Sequence, residues 1–429
     1  MITTKNVFLK GLLALCVSCT LLLTIGCSSS SDLEFPDPNN PDQGTATIQL
    51  LVTGIESGTR NGLGIYLRAV DTMGRDTYFF EPSDPRYTGE LLTGPIDPGG
   101  FISVTPWTRR YSVVKNCNIL LERAAEKSDS GAAGFAKTML AHEMLLNLSY
   151  MDTNGIRTDV ATEVLGPIVT KGEALTFIAS QLDSGYSDLQ AAGGSFSFNL
   201  TDGFEGFKAP GEFAKFNRGL RARVATYQED WSTVLTALSS SYINASSPLD
   251  TQLGVYHVYS TGAGDQVNPV FEDQSSTTIR YHAHESFISG AEAGDHRVTS
   301  KTSERDERTY DGLTSSHGFA VYTSQTAKVA MQRNEELVLL RAEANIELGD
   351  LASAESDLNL IRDAAGLDPV TLTAGNAADQ LIYERRYSLF GEGQRWVDMR
   401  RWGLLNTLPL DRSNDTHIER MPIPLSEQQ

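Results

Sequence analysis

Three groups of side chains in this sequence have the residue types and spacing to do chemistry. The densest lies between Glu384 and Gly403, ERRYSLFGEGQRWVDMRRWG. Glu384, Glu392 and Asp398 are the residue types that glycoside hydrolysis uses, where one carboxylic acid protonates the leaving oxygen and a second carboxylate attacks or activates water. The acid of such a pair needs a raised pKa. Here the carboxylates are interleaved with Arg385, Arg386, Arg395, Arg400 and Arg401. Guanidinium groups grip carboxylates bidentately and hold them ionised. The pattern therefore predicts structural ion pairs rather than acid–base work. Trp396 and Trp402 share helical spacing with Leu389 and Met399, which reads as core.

The second group is His282, His284 and Glu285, with Asp295 and His296 shortly after. On a strand, residues two apart share a face, so both histidines could reach one ion. A closed zinc site needs four placed ligands, and the expectation here is solvent-exposed loop histidines with no metal. His142-Glu143 opens like a zincin helix, but Leu146 stands where the second histidine is required. No Gly-x-Ser-x-Gly elbow and no phosphate loop occurs, and no cofactor is expected. The third group is aromatic. A sugar ring offers an apolar C–H face and a hydroxyl rim, which proteins meet with aromatic rings and hydrogen-bonding side chains. Trp107, beside Arg109 and Arg110, Tyr78 and Phe80 in the run Tyr78-Phe79-Phe80, and Tyr281 and Phe287 are the candidate ligand contacts. Core packing is the competing reading for each.

These residues must be positioned by helices and by what interrupts them. Val113, Val114, Cys117, Leu120 and Leu121 repeat at helical spacing across 111–125, and 135–148 and 174–182 read as further helices. Ala342, Gly349, Ala354 and Leu358 have the same relative spacing as Ala222, Glu229, Val234 and Leu238. That spacing resembles the tetratricopeptide pattern: a small residue where two helices cross, a turn, then a small and a large apolar residue on the second helix. Gly349-Asp350 is a good turn, whereas Glu229-Asp230 lacks the glycine. Residues 55–105 and 239–333 break the helical pattern and are rich in aromatics; Val255–Tyr259 reads as a strand. Long irregular insertions on a rigid scaffold are often functional. The two segments are expected to converge near Trp107 as a binding face. The predicted fold is mostly α, a tetratricopeptide-like helical hairpin scaffold with long irregular loops on one face.

The N-terminus sets the compartment. Lys5 and Lys10 precede an uncharged apolar run to Gly26, and Cys27 follows. A basic start, a short apolar core and a small residue before the break make a secretory leader rather than a span. Leu23-Thr24-Ile25-Gly26-Cys27 resembles a bacterial lipobox, with Thr24 where leucine is usual, and makes Cys27 the lipid attachment site. The expected division is a signal peptide over 1–26, a flexible tether over 27–47 rich in Ser, Pro, Asn and Asp, and one domain over 48–429. Cys16 and Cys19 leave with the leader, so Cys117 has no cysteine for an internal disulfide. The formal net charge of −19 becomes −21 once Lys5 and Lys10 are removed. Such a chain should not bind nucleic acid by neutralising phosphates, nor an anionic membrane through charge.

The Glu384–Gly403 segment, the closing Met421-Pro422-Ile423-Pro424, the lipobox and the hairpin spacing together resemble the SusD/RagB-like nutrient-binding outer-membrane lipoproteins. The likeness is strong from about Glu335 onward and weak over 107–240. It implies four helical hairpins as a scaffold. It also implies a structural role for Glu384, Arg385, Glu392, Arg395, Trp396, Asp398, Arg400 and Trp402. The function implied is capture of a nutrient, foremost an oligosaccharide, at the outer membrane and its transfer to a TonB-dependent SusC-like β-barrel, without catalysis. No loop matches a family motif, so no ligand contact is carried over. Two other readings stay open: an envelope glycan hydrolase, and a structural or assembly lipoprotein that binds a partner through its helical hairpins.

Overall fold

Three helical hairpins of the scaffold turn by one chemistry. The computed structural model describes residues 46–162 and 164–428; the leader, Cys27 and the expected tether up to residue 45 lie outside the described residues, while Thr47 caps the first helix by accepting from the Leu50 N–H. Helices α1 (Ile48–Arg60) and α2 (Leu63–Met73) lead through strand β1 (Thr77–Phe79) and the one-turn α3 (Glu90–Thr93) into the long α4 (Phe101–Lys127). Then come α5 (Ser130–Met151), α6 (Lys171–Ala191), α7 (Pro210–Tyr227) and α8 (Trp231–Ser239). An insertion with the short α9 (Glu285–Ser289) and α10 (His296–Lys301) precedes α11 (Asn334–Glu347), α12 (Leu351–Ala365), α13 (Ala377–Ser388) and α14 (Arg395–Arg401). Each helix from α4 to α8 packs on the next, α8 packs on α11, and α12 and α13 pack on α11. Residues from Thr47 onward form one compact unit.

At the turns, Ser128, Glu229 and Gly349 take left-handed φ values of 53°, 58° and 82°. The next residue is aspartate each time. Asp129, Asp230 and Asp350 accept from the backbone N–H of Ala132, Thr233 and Ser353. Their own N–H groups donate back to the carbonyls of Ala124, Ala225 and Asn345 at 2.9, 3.0 and 2.8 Å. The left-handed residue satisfies the last carbonyls of one helix, and the aspartate caps the orphan N–H groups of the following one. Ala222, Val234, Ala342, Ala354 and Leu358 are buried where the paired helices cross. The predicted hairpin scaffold is what the structure has.

Several boundaries move. The helix expected over 111–125 runs from Phe101 to Lys127, which puts Trp107 inside it rather than at its mouth. The helix expected over 174–182 spans 171–191. Residues 55–105 are not a mostly irregular segment, because α1 and α2 fill its first half. Helix α2 is buried almost all round, Asp71 and Thr72 included. Leu63, Tyr66, Leu67, Val70 and Met73 recur there at helical spacing, a signal that the reading of 55–105 as irregular passed over.

The insertion carries most of the strand content. Strands β1, β5 (Tyr281–Ala283), β7 (Leu313–Phe319) and β6 (Thr302–Tyr310) form an antiparallel sheet in that spatial order. Asp311 and Gly312, both at positive φ, make the β6–β7 turn, as a two-residue hairpin requires. Strands β2 (Ile156–Arg157) and β3 (Ile168–Val169) form a small pair, and β4 (Gly254–His257) pairs with β8 (Val329–Arg333). The two segments expected to converge therefore do meet, through the register Thr77↔Ala283, Tyr78↔His282 and Phe79↔Tyr281. Trp107 is not part of that junction: its indole N–H donates to Glu427 and its ring packs edge-on against Tyr111.

Candidate functional site

The arginine-rich C-terminal segment is a set of buried ion pairs joining elements distant in sequence. Asp398 accepts from Arg385 at 2.8 Å and from Arg401 at 2.9 Å. Burial opposes its charge, but the two guanidiniums outweigh that and hold it below the usual carboxylate range. Arg401 and the Trp402 indole also reach Glu343 of α11. Glu392 pairs with Arg333, Arg395 donates to the Gly74 carbonyl, and Arg400 lies over the Trp396 ring at 4.3 Å. Glu384 accepts from Arg297 of α10 at 2.6 Å and from Arg362 of α12 at 2.9 Å. Burial raises its pKa despite these partners. A raised carboxyl is what an acid catalyst needs, but this one is 0 % exposed and its oxygens are occupied by Arg297, Arg362 and Gln380. Neither a substrate nor a water can approach it.

The candidate ligand-binding rings need correction. Trp107, Tyr78, Phe80, Tyr281 and Phe287 are all between 0 and 2 % exposed. Tyr78 and Phe80 stack at 5.4 Å and pack with Leu92 and Leu313; Phe287 stacks on Phe390 at 3.9 Å; the Tyr281 hydroxyl bonds Asp71. Adjacent residues of a strand point to opposite faces, and both faces of this sheet are covered, so the rings fill core. None presents a face on which a sugar could stack. The expected solvent-exposed histidines are corrected likewise. His284 is buried, caps α9 by accepting from the Ser286 N–H, and faces Asp411 at 3.1 Å. His282 lies against Phe80, and burial pulls its pKa down to about 4. Among the described residues, no three or more His, Cys, Asp or Glu side chains cluster as a metal site would require.

An open cleft of about 540 Å³ lies where the insertion meets the scaffold. It is lined by β4, β8, α10, the end of α12 and the 321–328 loop, together with Glu392. Its floor is ionic. Arg333 pairs with Glu335 and Glu392, and Lys301 donates to the carbonyls of Tyr387 and Ser388 at 2.7 and 2.6 Å. These carbonyls end α13, where a cation is favoured. Burial nevertheless pulls the Lys301 pKa down to about 8. At the rim stands Tyr256, half-buried, its hydroxyl donating to the Gln252 carbonyl at 2.6 Å. The Lys328 ammonium lies 5.6 Å from the centre of that ring. Gln252, Ser300, Thr323 and Lys328 are exposed around it. Both lining carboxylates are taken by Arg333, so the cleft offers an aromatic ring and hydrogen-bonding groups but no acid–base pair. A larger groove of about 730 Å³ between α8, α11 and α12 is lined mainly by polar residues, with Leu235 and Leu360 but without an aromatic ring. Chemistry rather than volume singles out the first.

Sequence reasoning placed Tyr256 on a strand but not in a site. The signal was in the alternation: Val255 and His257 turn inward and are buried, which leaves Tyr256 on the outer face.

The chain resembles known proteins in this architecture. The SusD family model matches residues 122–423. A SusD superfamily protein from Bacteroides thetaiotaomicron superposes with a TM-score of 0.71 at 16 % identity, covering 89 % of this chain and 96 % of its own. A SusD superfamily protein from Bacteroides vulgatus gives 0.65 at 15 % identity, with 90 % and 96 % covered. A SusD-like carbohydrate binding protein, also from Bacteroides vulgatus, gives 0.59 at 18 % identity, with 86 % and 79 % covered. At these identities the likeness is one of fold. No curated protein matches the chain.

Proposed function

Because the chain belongs to the SusD family, we propose that it is a carbohydrate-binding protein that captures an oligosaccharide in the cleft beside Tyr256. The observation that carries this reading is the cleft itself: about 540 Å³, a half-exposed tyrosine ring, and a rim of amide, hydroxyl and ammonium groups. That volume lies within the usual range for small-ligand sites, roughly 300–1,000 Å³. The B. vulgatus fold relative described as a carbohydrate binding protein supports the ligand class. The finer proposal is an outer-membrane lipoprotein, anchored through Cys27, that concentrates a nutrient and passes it to a TonB-dependent SusC-like β-barrel. Such a carrier needs moderate affinity, since a ligand held too tightly would not be released. It performs no reaction: the lining carboxylates are fixed by Arg333, and the C-terminal ones are sealed from solvent.

Calorimetry against an oligosaccharide panel tests the reading. A sugar stacked on an aromatic ring contributes roughly 1–1.5 kcal/mol, so Tyr256→Ala should weaken binding about ten-fold while the variant stays folded by circular dichroism. Equal affinity of wild type and variant would remove the cleft from consideration, and cleaved sugar after prolonged incubation would restore the hydrolase reading.

A further inference from the structure

The charge of the cleft differs from that of the chain. Over the full sequence acidic residues outnumber basic ones 54 to 35. In the cleft lining, four are basic (Arg297, Lys301, Lys328, Arg333) and two acidic (Glu335, Glu392). Most of these charges cancel. Arg297 is bound by Asp295 and Glu384, and Arg333 by Glu335 and Glu392. Lys301 is held by two helix-end carbonyls and faces the same two carboxylates. Lys328 differs. It is exposed, and its partner is the Tyr256 ring face rather than an oxygen. Asp202 feels its charge weakly, and that carboxylate is bound by Lys208 at 2.7 Å.

A sugar that stacks on Tyr256 must first displace Lys328 from the ring. A neutral sugar offers that ammonium no counter-charge. An anionic sugar replaces the cation–π contact with a charge-assisted hydrogen bond, which is the stronger of the two. Salt screens the net negative charge of the rest of the chain beyond about 10 Å. On the reading of this cleft as the carbohydrate site, we infer that its ligand carries an anionic substituent, a carboxylate or a sulfate ester, bound by Lys328 beside the Tyr256 ring.

The test uses two matched pairs: trigalacturonate with its methyl ester, and a sulfated galactan oligosaccharide with its desulfated form. Calorimetry on the wild-type protein at about 0.1 M salt, where the rest of the chain is screened, should show one charged member binding about ten-fold tighter than its neutral partner, with the ratio shrinking at about 1 M. Which pair discriminates identifies the anion. Lys328→Met should bring the ratio close to one. Lys328 is exposed, so the variant should fold, and circular dichroism checks this. A wild-type ratio near one in both pairs overturns the inference, as does an unchanged ratio in the variant. If charged and neutral members bind alike and Tyr256→Ala weakens both, the carbohydrate reading stands while the anionic preference falls. If no oligosaccharide of either charge binds, both fall together.

Discussion

At the scale of single residues, Glu229 shows how a repeat tolerates a locally wrong residue. It occupies the left-handed position that Gly349 fills in the later hairpin, with φ of 58° against 82°. A side chain in that conformation costs roughly 1–2 kcal/mol, which glycine avoids, though glycine loses more entropy on folding. Glu229 is exposed. Glu229→Gly should therefore stabilise the protein by about 0.5–1 kcal/mol, read as a higher urea midpoint at unchanged slope. A midpoint at or below that of wild type would show that the turn makes contacts glycine cannot replace. His282 gives a second residue-scale expectation. Burial holds its pKa near about 4, against 6.5 for an unperturbed histidine. Between those values the unfolded chain binds the proton and the folded protein does not, so stability rises with pH across that window. The contribution is complete above about pH 6.5 and is lost as pH falls toward 4, by at most about 3 kcal/mol. His282→Phe should flatten the fall in melting temperature between neutral and mildly acid buffer. Identical pH profiles for the two proteins would mean that His282 titrates as if exposed.

At the scale of elements, Glu384 is a junction rather than a site. It sits on α13 and accepts from Arg297 of α10 and Arg362 of α12, so one carboxylate ties the insertion to a scaffold hairpin. Removing the charge leaves two guanidiniums buried without their shared counter-ion, which typically costs about 3–5 kcal/mol. Glu384→Gln should lower the urea midpoint accordingly and speed hydrogen exchange across 285–301. A midpoint within error of wild type would mean that Asp295 and Glu292 suffice to hold the two arginines. The elements also show what the sequence could and could not disclose. The α11–α12 hairpin was legible because Gly349 and the small residues around it satisfy local rules. The same turn at Ser128-Asp129 was not, because only the φ angle marks Ser128 as left-handed. The alternation of Val255, Tyr256 and His257 indicated a strand, but that Tyr256 borders an open cleft depends on β8, more than 70 residues away. The rings of β1 and β5 look alike as sequence whether they face solvent or each other. Strand pairing decided that, and pairing is a long-range fact.

At the scale of the whole molecule, the question is how the proposed outer-membrane attachment would be made. Among the described residues no helix is long and apolar enough to cross one. The net charge of −19, or −21 without Lys5 and Lys10, opposes adsorption to anionic lipid. The sequence supplies Cys27 behind an apolar, lipobox-like run. If Cys27 is the anchor, attachment should resist salt, because it owes nothing to charge, and should depend wholly on that sulfur. Cys27→Ser should leave the folded domain intact, with the same melting temperature and the same oligosaccharide affinity, since 47–429 form their own compact unit. The wild-type protein should sediment with outer membrane through a high-salt wash and enter the detergent phase on partition. The variant should stay in the aqueous phase and not sediment after the same wash. A variant that remains with the membrane after that wash would rule out Cys27 as the attachment point.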